Sequence, residues 1–365
     1  LFDPASNGTD GDDRLGPIGD WYRKDTDSNF LDIEYNISGQ LGFDIIGGGS
    51  LNDILDGGQE LHVNDFGFSV DANGFVEKDQ LIYVDSPSGI NANLITGIVE
   101  DGFGSTDQVS NFERLYGSNF DDTVILSHDL TRGYVPGYGN DTIVGFDSLN
   151  LSGPYNSYVG YWNLDVDNGV TDASIIVNWD EGIVTKNIVG GDFAGVYQDT
   201  ISGYVANIVG SGGDDVIDGL SSGAFFDTYS VLYNDLPTTS VDIGYGILQG
   251  YQGNDTLIAL GTGEDRLLGG RDSDLLITYG HGEFNKISGD YHPGNVSELS
   301  NVDTFVIGGE GLFQITDYQI GEEIILLDYQ IESPSNLTTE YDETLNQTSL
   351  MISSDKPVAP CRTNN

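Results

Sequence analysis

The stretch GYQGNDTLIALGTGEDRLLGGRDSDLL, residues 250–276, repeats an acid and a leucine in step. Three of its aspartates follow glycine-rich runs at spacings of ten and nine residues, and each of the three stands two positions before a leucine. Glycine permits tight turns at positive φ, and the short segment after each acid alternates between inward and outward side chains. This pattern predicts a coil of short strands and tight turns in which the leucines face a core. The pairs are Asp255 with Leu257, Asp265 with Leu267, and Asp274 with Leu276.

The same nine-residue pattern, G-G-x-G-x-D-x-U-x with U a large apolar residue, recurs along the chain. It returns in looser form at 117–144, and single copies stand at 8–16 and 210–218. Two such repeats make one coil of a parallel β-roll, so repeats two apart stack on the same edge with room for an ion between them. The stacked pairs that this spacing predicts are Asp255 with Asp274, and Asp122 with Asp141.

Several repeats depart from the pattern. Leu51, Phe120 and Asp272 stand where the fourth-position glycine belongs, and a bulkier residue there predicts an absent or half-formed ion site. The adjacent repeats at 39–47 and 48–56 would lie on opposite edges of a coil, so each needs another partner. Ordinary hairpin turns are the alternative for the isolated copies, because Gly, Asn and Asp are common in turns.

The overall composition favours an ordered, strongly acidic β protein. The chain has 51 Gly, 20 Tyr and 16 Phe among 365 residues, which suits many tight turns around a packed core. Its 59 acidic and 12 basic residues give a net charge of −47, which argues against nucleic acid as a partner because phosphate binding needs Lys and Arg. No stretch of about 18 apolar residues predicts a membrane span, so we expect no membrane insertion. With one cysteine, Cys361, the chain forms no intrachain disulfide.

Calcium is the cofactor that these repeats predict. Stacked like charges oppose compaction unless cations neutralise them. Carboxylate and carbonyl oxygens in a loose geometry suit calcium, whereas magnesium requires a tighter octahedron and retains its water. We expect roughly four to ten ions and a coupling of folding to their binding. The candidate ligands are Asp13, Asp44, Asp53, Asp122, Asp141, Asp215, Asp255, Asp265 and Asp274, together with the turn residues Gly137, Gly139, Gly250, Gln252, Asn254, Gly269 and Arg271.

The repeats resemble those of the RTX, or hemolysin-type, calcium-binding family, most closely at 250–277. The stretches 83–125 and 303–329 are similar to the flanks of such arrays, whereas 151–207 matches poorly. The resemblance implies export from a Gram-negative type of cell in one step, followed by folding outside or at the cell surface. Because the chain begins at Leu1 rather than Met, we expect a processed or truncated product, and the uncleaved C-terminal signal of the family fits the lack of a signal-peptide pattern.

We therefore predict an all-β fold with elongated parallel β-roll or β-solenoid segments, inserted antiparallel hairpins and a C-terminal β cap that protects the last edge. The expected regions are a degenerate RTX-like β domain at 1–148, a poorly matched β insertion at 149–207, an RTX β-roll at 208–300 and a capping segment at 301–365.

No catalytic constellation is visible, so the sequence does not predict an enzyme. The expected function is that of a structural, self-assembling or adhesive component of a surface layer, sheath, filament or matrix. Its expected partners are calcium ions and either further copies of itself or cell-surface polysaccharide. Two alternatives stay open: a polysaccharide-modifying β-solenoid enzyme, or its calcium-binding accessory module, with a site among the acids of 151–240; and a virion or fibre component.

Overall fold

The structure is a computed structural model, and all of the regular elements that it describes are β-strands. This confirms the predicted all-β class. Within the described ranges, no helix has the length and apolarity needed to cross a bilayer. The described residues are 5–8, 14–16, 33–58, 62–63, 69–70, 79–127, 133–145, 158–164, 169–179, 181–203, 205, 207–219, 246–259, 265–280, 285–290, 301–309, 312–318, 322–327, 337–342 and 347–353.

The chain divides into two compact units. Unit 1 comprises Leu1–Ala173 and Val184–Asn207, and unit 2 comprises Ser174–Ile183 and Ile208–Asn365. The strands up to residue 160 are β1 (Ala5–Asn7), β2 (Arg14–Leu15), β3 (Asn36–Ser38), β4 (Ile45–Ile46), β5 (Ile54–Asp56), β6 (His62–Val63), β7 (Ser69–Val70), β8 (Gln80–Ile82), β9 (Asn91–Asn93), β10 (Ile98–Glu100), β11 (Thr106–Ser110), β12 (Arg114–Tyr116), β13 (Thr123–Ile125), β14 (Gly133–Val135), β15 (Thr142–Val144) and β16 (Tyr158–Gly160). The later strands are β17 (Val170–Asn178), β18 (Ile183–Gly190), β19 (Gly195–Ser202), β20 (Asn207–Val209), β21 (Val216–Gly219), β22 (Gly246–Tyr251), β23 (Thr256–Ala259), β24 (Asp265–Gly270), β25 (Leu275–Gly280), β26 (Asn285–Asp290), β27 (Thr304–Gly309), β28 (Leu312–Ile315), β29 (Glu323–Leu326), β30 (Leu337–Asp342) and β31 (Gln347–Ser353).

In unit 1 the chain passes back and forth between two mainly parallel sheets. Sheet A has the order β1-β3-β5-β11-β10-β9-β13-β15-β19-β18, and sheet B has the order β2-β4-β8-β12-β14-β16. The strands β9, β10 and β11 form an antiparallel meander inside sheet A, where a simple coil would place a single strand. Both ends of the meander rejoin the parallel ladder, because β11 pairs with β5 and β9 pairs with β13. The strands β6 and β7 form a separate antiparallel pair.

Unit 2 repeats this alternation with fewer interruptions. Its sheet A has the order β17-β21-β23-β25-β27-β29, and its sheet B has the order β20-β22-β24-β26-β28-β31-β30. In the parallel ladder, Thr256 lies opposite Leu275 and Leu275 lies opposite Thr304. At the end of sheet B, β31 runs antiparallel to both β28 and β30. The chain therefore ends its second sheet with the antiparallel closing pair expected of a β cap.

Many of the short strands bury one apolar side chain at their centre, whereas β8 and β14 are buried at all three positions. Leu257, Leu267 and Leu276, the three leucines of the quoted stretch, are all 0% exposed. In unit 1 the same position of β13 and β15 holds Val124 and Ile143, which are also fully buried. Successive side chains of a strand point to opposite faces, so the two neighbours of each buried residue face away from the core. The apolar residue two positions after each acid is thus the residue that holds successive coils together.

Candidate metal centre

An aspartate directly precedes each of four successive coil strands of sheet A in unit 2, and its carboxylate is buried beneath the turn. The backbone N–H of one aspartate donates to Oδ1 of the aspartate on the next coil, at 2.8 or 2.9 Å. A turn cannot supply the carbonyl that would continue the ladder, so the carboxylate accepts this N–H instead. We call these residues the aspartate column of unit 2: Asp215, Asp255, Asp274 and Asp303, all 0–3% exposed.

Unit 1 contains an aspartate column of its own. Asp122 donates its N–H to Oδ1 of Asp141 at 2.9 Å, and Asp141 donates to Oδ1 of Asp199 at 2.9 Å. On the other side of the inserted meander, Asp53 donates to Oδ1 of Asp107 at 2.8 Å. The pair Asp122 and Asp141 is therefore stacked as its spacing predicts, and Asp255 and Asp274 are stacked in the same way in unit 2.

Some turns are closed around their carboxylate. In a closed turn, the N–H of the second residue of the repeat donates to Oδ2, so both carboxylate oxygens accept hydrogen bonds. Two of these turns carry a serine at that second position, whose hydroxyl also bonds Oδ1. The closed turns are those of Asp53 with Gly49 (2.5 Å), Asp122 with Ser118 (2.8 Å) and Asp215 with Ser211 (2.5 Å).

Other turns are open. The second residue of the repeat has a positive φ in the turns before Asp255 and Asp274, at 90° for Tyr251 and 124° for Gly270. Among the described residues, no donor reaches Oδ2 of Asp255 or of Asp274, although both oxygens are buried. A buried carboxylate oxygen without a hydrogen bond carries a large desolvation cost, and a bound cation would offset it.

The first glycine of each open repeat lets a carboxylate and a carbonyl converge. A Cβ added to Gly250 would overlap both Oδ2 of Asp255 and the carbonyl oxygen of Gly269, the first glycine of the next stacked repeat. Carboxylate and carbonyl oxygens together are the donor set that calcium prefers. The open turns therefore fit a hard divalent cation by their chemistry.

The electrostatics of the column agree with this assessment. Burial first, and then repulsion from neighbouring acids, raises the pKa of Asp255 to about 9. Burial is also the main cause that raises the pKa of Asp274 to about 8 and that of Asp303 to about 7. Without a cation, the column can relieve this cost only by taking up protons.

The end of this column brings three acids together. Asp290 ends β26, Asp303 precedes β27 and Glu322 precedes β29, so successive crossings between the two sheets meet here. One carboxylate oxygen of each acid lies within 4.8 Å of the others. Asp303 is 0% exposed, and no described donor reaches its Oδ2. We call Asp290, Asp303 and Glu322 the acidic triad, and its oxygens have the spacing of ligands around one cation.

The remaining predicted ligands occupy varied places. Asp13 lies outside the described residues, and Asp265 begins β24 with its side chain outside them. Asp44 is buried and directly precedes β4 of sheet B, and its N–H donates to Oδ1 of Asp79 at 2.7 Å. Asn254 is exposed and joins two turns, because its Oδ1 accepts the N–H of Ser273 at 3.2 Å. Gln252 and Arg271 are half-buried turn residues.

The fourth position of the repeats behaves differently from one turn to another. Gly139 and Gly253 have φ of 96° and 103°, as a tight turn requires. Asp272 adopts φ of 74° in place of glycine, and its turn stays open. Leu51 and Phe120 are outside the left-handed region, and their turns are closed. An aspartate at this position therefore adopts the backbone conformation of a glycine. The two apolar residues occur instead in turns where both carboxylate oxygens already accept hydrogen bonds.

One turn of unit 1 contains a buried lysine. Nζ of Lys186 lies 2.9 Å from Oδ2 of Asp141 and 2.7 Å from Oδ1 of Asp199. It also donates to the carbonyl oxygen of Gly137, a predicted ligand, at 3.0 Å. Burial opposes the charge on Lys186, but the two carboxylates raise its pKa above the ordinary value, so the side chain is an ammonium ion.

The nine-residue period does not reveal several of these acids. Asp107 and Asp199 stack on residues 54 and 58 positions earlier, because inserted strands separate the coils. The signal that remains is the acid followed two positions later by a buried apolar residue, without the glycines. Asp199 precedes Ile201 in this way, and Asp303 precedes Phe305.

No protein-family model matches the chain, and no curated protein matches it significantly.

Proposed function

We propose that this protein is an extracellular calcium-binding β-roll of RTX type that acts as a structural, self-assembling or adhesive component of a cell surface. The observation that carries the proposal is the row of buried Oδ2 atoms at Asp255, Asp274 and Asp303 that no described donor reaches. Native proteins contain few such atoms, and a bound cation or a proton would compensate for the desolvation of these three.

Calcium suits these positions better than other common ions. The ligands are oxygens from carboxylates and turn carbonyls, and no cysteine is present among them. Soft transition metals prefer thiolate or imidazole ligands, and magnesium prefers an octahedron with retained water. Extracellular calcium modules bind with dissociation constants of about 0.1–1 mM, so sites of this class would fill outside the cell, as the proposal requires.

A structural function agrees with where the acids lie. The column aspartates are hydrogen bonded within the scaffold, where they join one coil to the next. A cation between them would contribute to stability and to rigidity more directly than to chemistry on a substrate. Acidic surfaces with a net charge of −47 repel each other, so calcium bridges would also favour association of copies.

The acidic triad provides the sharpest test. Glu322→Gln removes the charge of a buried triad member, whereas Glu323→Gln removes the charge of its exposed neighbour. We expect the first variant to bind one calcium ion fewer, or to bind it at least about tenfold more weakly, and the second to match the wild type. Calorimetric titration with Ca²⁺ and Mg²⁺, together with native mass spectrometry, measures affinity and stoichiometry. Equal calcium binding by all three proteins would contradict the assignment of the triad.

Assembly is tested separately. We expect the purified protein to sediment as larger species in millimolar calcium and to return to small species when a chelator is added. An unchanged sedimentation coefficient, in a protein that has been shown to bind calcium, would reject self-assembly and leave adhesion to be tested with cell-surface polysaccharide.

A further inference from the structure

Lys186 occupies a position in unit 1 that normally belongs to an apolar residue. It stands in the inward-facing row of β18 between Val184 and Ile188, and all three side chains are buried. A lysine that is 0% exposed is costly unless opposite charges and hydrogen bonds compensate for its lost hydration. Its presence in this row therefore requires an explanation.

The environment of Nζ is that of a cation in a turn. It contacts one turn carbonyl and two column carboxylates, namely Gly137, Asp141 and Asp199. In the open turns of unit 2, the corresponding elements are a turn carbonyl, such as that of Gly269, and a column carboxylate, such as that of Asp255. The ammonium thus donates to Oδ2 of a column aspartate, whereas no described donor reaches Oδ2 of Asp255 or of Asp274 in unit 2.

We propose that the Lys186 ammonium is a built-in cation that takes the place of a divalent metal ion in the aspartate column of unit 1. The coils around β15 and β19 then hold together without metal, whereas the coils around β23 and β25 depend on it. This inference rests on the proposed calcium binding of unit 2, and it divides the chain into a metal-independent part and a metal-dependent part.

The hydroxyl groups around the site support a permanent ion pair. Tyr161 donates to Oδ2 of Asp199 at 3.0 Å, and Tyr134 donates to Oδ2 of Asp122 at 2.8 Å. With Nζ in place, described donors reach both oxygens of Asp141 and of Asp199. A metal ion at this position would have to displace the amine from Oδ2 of Asp141 and from the carbonyl oxygen of Gly137.

The test compares wild-type full-length protein with Lys186→Met and with Lys286→Met, a half-buried lysine of β26 that lies outside the columns. Hydrogen–deuterium exchange is measured strand by strand, in calcium and in chelator. In the wild type and in Lys286→Met, we expect the chelator to expose β23 and β25 while β15 and β19 stay protected. In Lys186→Met, we expect the chelator to expose β15 and β19 as well, and millimolar calcium to restore them with one additional bound ion by native mass spectrometry.

The outcomes that overturn the proposal are distinct. Calcium that fails to protect β15 and β19 of Lys186→Met, at any concentration, rejects the equivalence of ammonium and metal. The double variant Lys186→Met with Asp141→Asn removes one charge of each sign, so we expect its β15 and β19 to be better protected in chelator than those of Lys186→Met alone. Equal exposure of these strands in chelator also rejects the proposal. Loss of one water from the intact mass would reveal an amide between Lys186 and a carboxylate, which carries no charge and rejects the proposal as well.

Failure of the proposed function looks different. If the hydrogen–deuterium exchange of β23 and β25 in the wild type is the same in calcium and in chelator, unit 2 is not metal-dependent. The response of β15 and β19 to calcium in Lys186→Met still decides whether Lys186 stands in for a cation.

Discussion

At the scale of the residue, the repeat joins a glycine to the carboxylate five positions later. Oδ2 of Asp274 and the carbonyl oxygen of Gly289 both approach the face of Gly269 where a side chain would begin. Every other residue type would place a Cβ among these oxygens. The first glycine is therefore required for space and not for an unusual φ, because its backbone lies outside the left-handed region.

Gly269→Ala should destabilise the protein even with calcium present. The new Cβ overlaps a buried carboxylate oxygen and a backbone carbonyl, so the coil must shift, at a cost of about 1–3 kcal/mol. Urea unfolding in saturating calcium measures the change in the free energy of unfolding.

Gly195→Ala is the matched control for this prediction. It is also a strand glycine without positive φ, and its nearest neighbour would be the ring of Tyr197 at 3.4 Å, an ordinary contact. We expect its free energy of unfolding to stay within about 0.5 kcal/mol of the wild type. Equal destabilisation of both variants would show that the close approach at Gly269 does not contribute to the change in the free energy of unfolding.

At the scale of the element, the short strands could be predicted and the insertions could not. The three leucines at 257, 267 and 276 were expected to face the core, because a period of nine or ten residues with one apolar position fixes which side chain turns inward. The meander of β9, β10 and β11 has no such period. Its placement follows from pairing with β5 and β13, which are distant in sequence.

The same reason separates the site residues that could be predicted from those that could not. Asp255 and Asp274 keep the repeat spacing, so their stacking follows from the sequence. Asp199 and Lys186 meet only because β18 and β19 are inserted before the next coil, and a lysine within an apolar row gives no periodic signal. Whether a turn is open or closed depends on φ at its second residue, which the glycine pattern alone does not fix.

The closing strands carry a prediction about association. A chain that ends at residue 330 lacks β30 and β31 and leaves the backbone of β28 unpaired at the edge of sheet B. An uncovered edge strand offers a template for pairing with another copy, so we expect concentration-dependent association in sedimentation velocity. A chain that ends at residue 353 retains both strands and should behave as the full chain does at the same calcium concentration. If the shorter chain associates no more than the longer one, β31 does not protect the edge.

At the scale of the whole molecule, protons and the proposed metal ions would compete for the same buried acids. The pKa of Asp255 is about 9 and that of Asp274 about 8 in the folded protein, whereas 3.8 is the ordinary value. Between these values, the folded state holds protons that the unfolded state has released. The metal-free protein should therefore lose stability as the pH rises from about 5 to about 9, by up to about 1.4 kcal/mol per pH unit for each such group.

Calcium should change this dependence, because it replaces the protons and favours the ionised carboxylates. In saturating calcium, we expect stability to rise or stay level over the same pH range, since metal binding to carboxylates strengthens as protons leave. Urea unfolding midpoints at pH 6, 7 and 8, with and without calcium at constant ionic strength, measure both trends. Constant ionic strength keeps the screening of the −47 surface charge equal throughout. A metal-free midpoint that increases with pH would mean that the column is ionised and compensated without calcium, and the open turns would then need no cation.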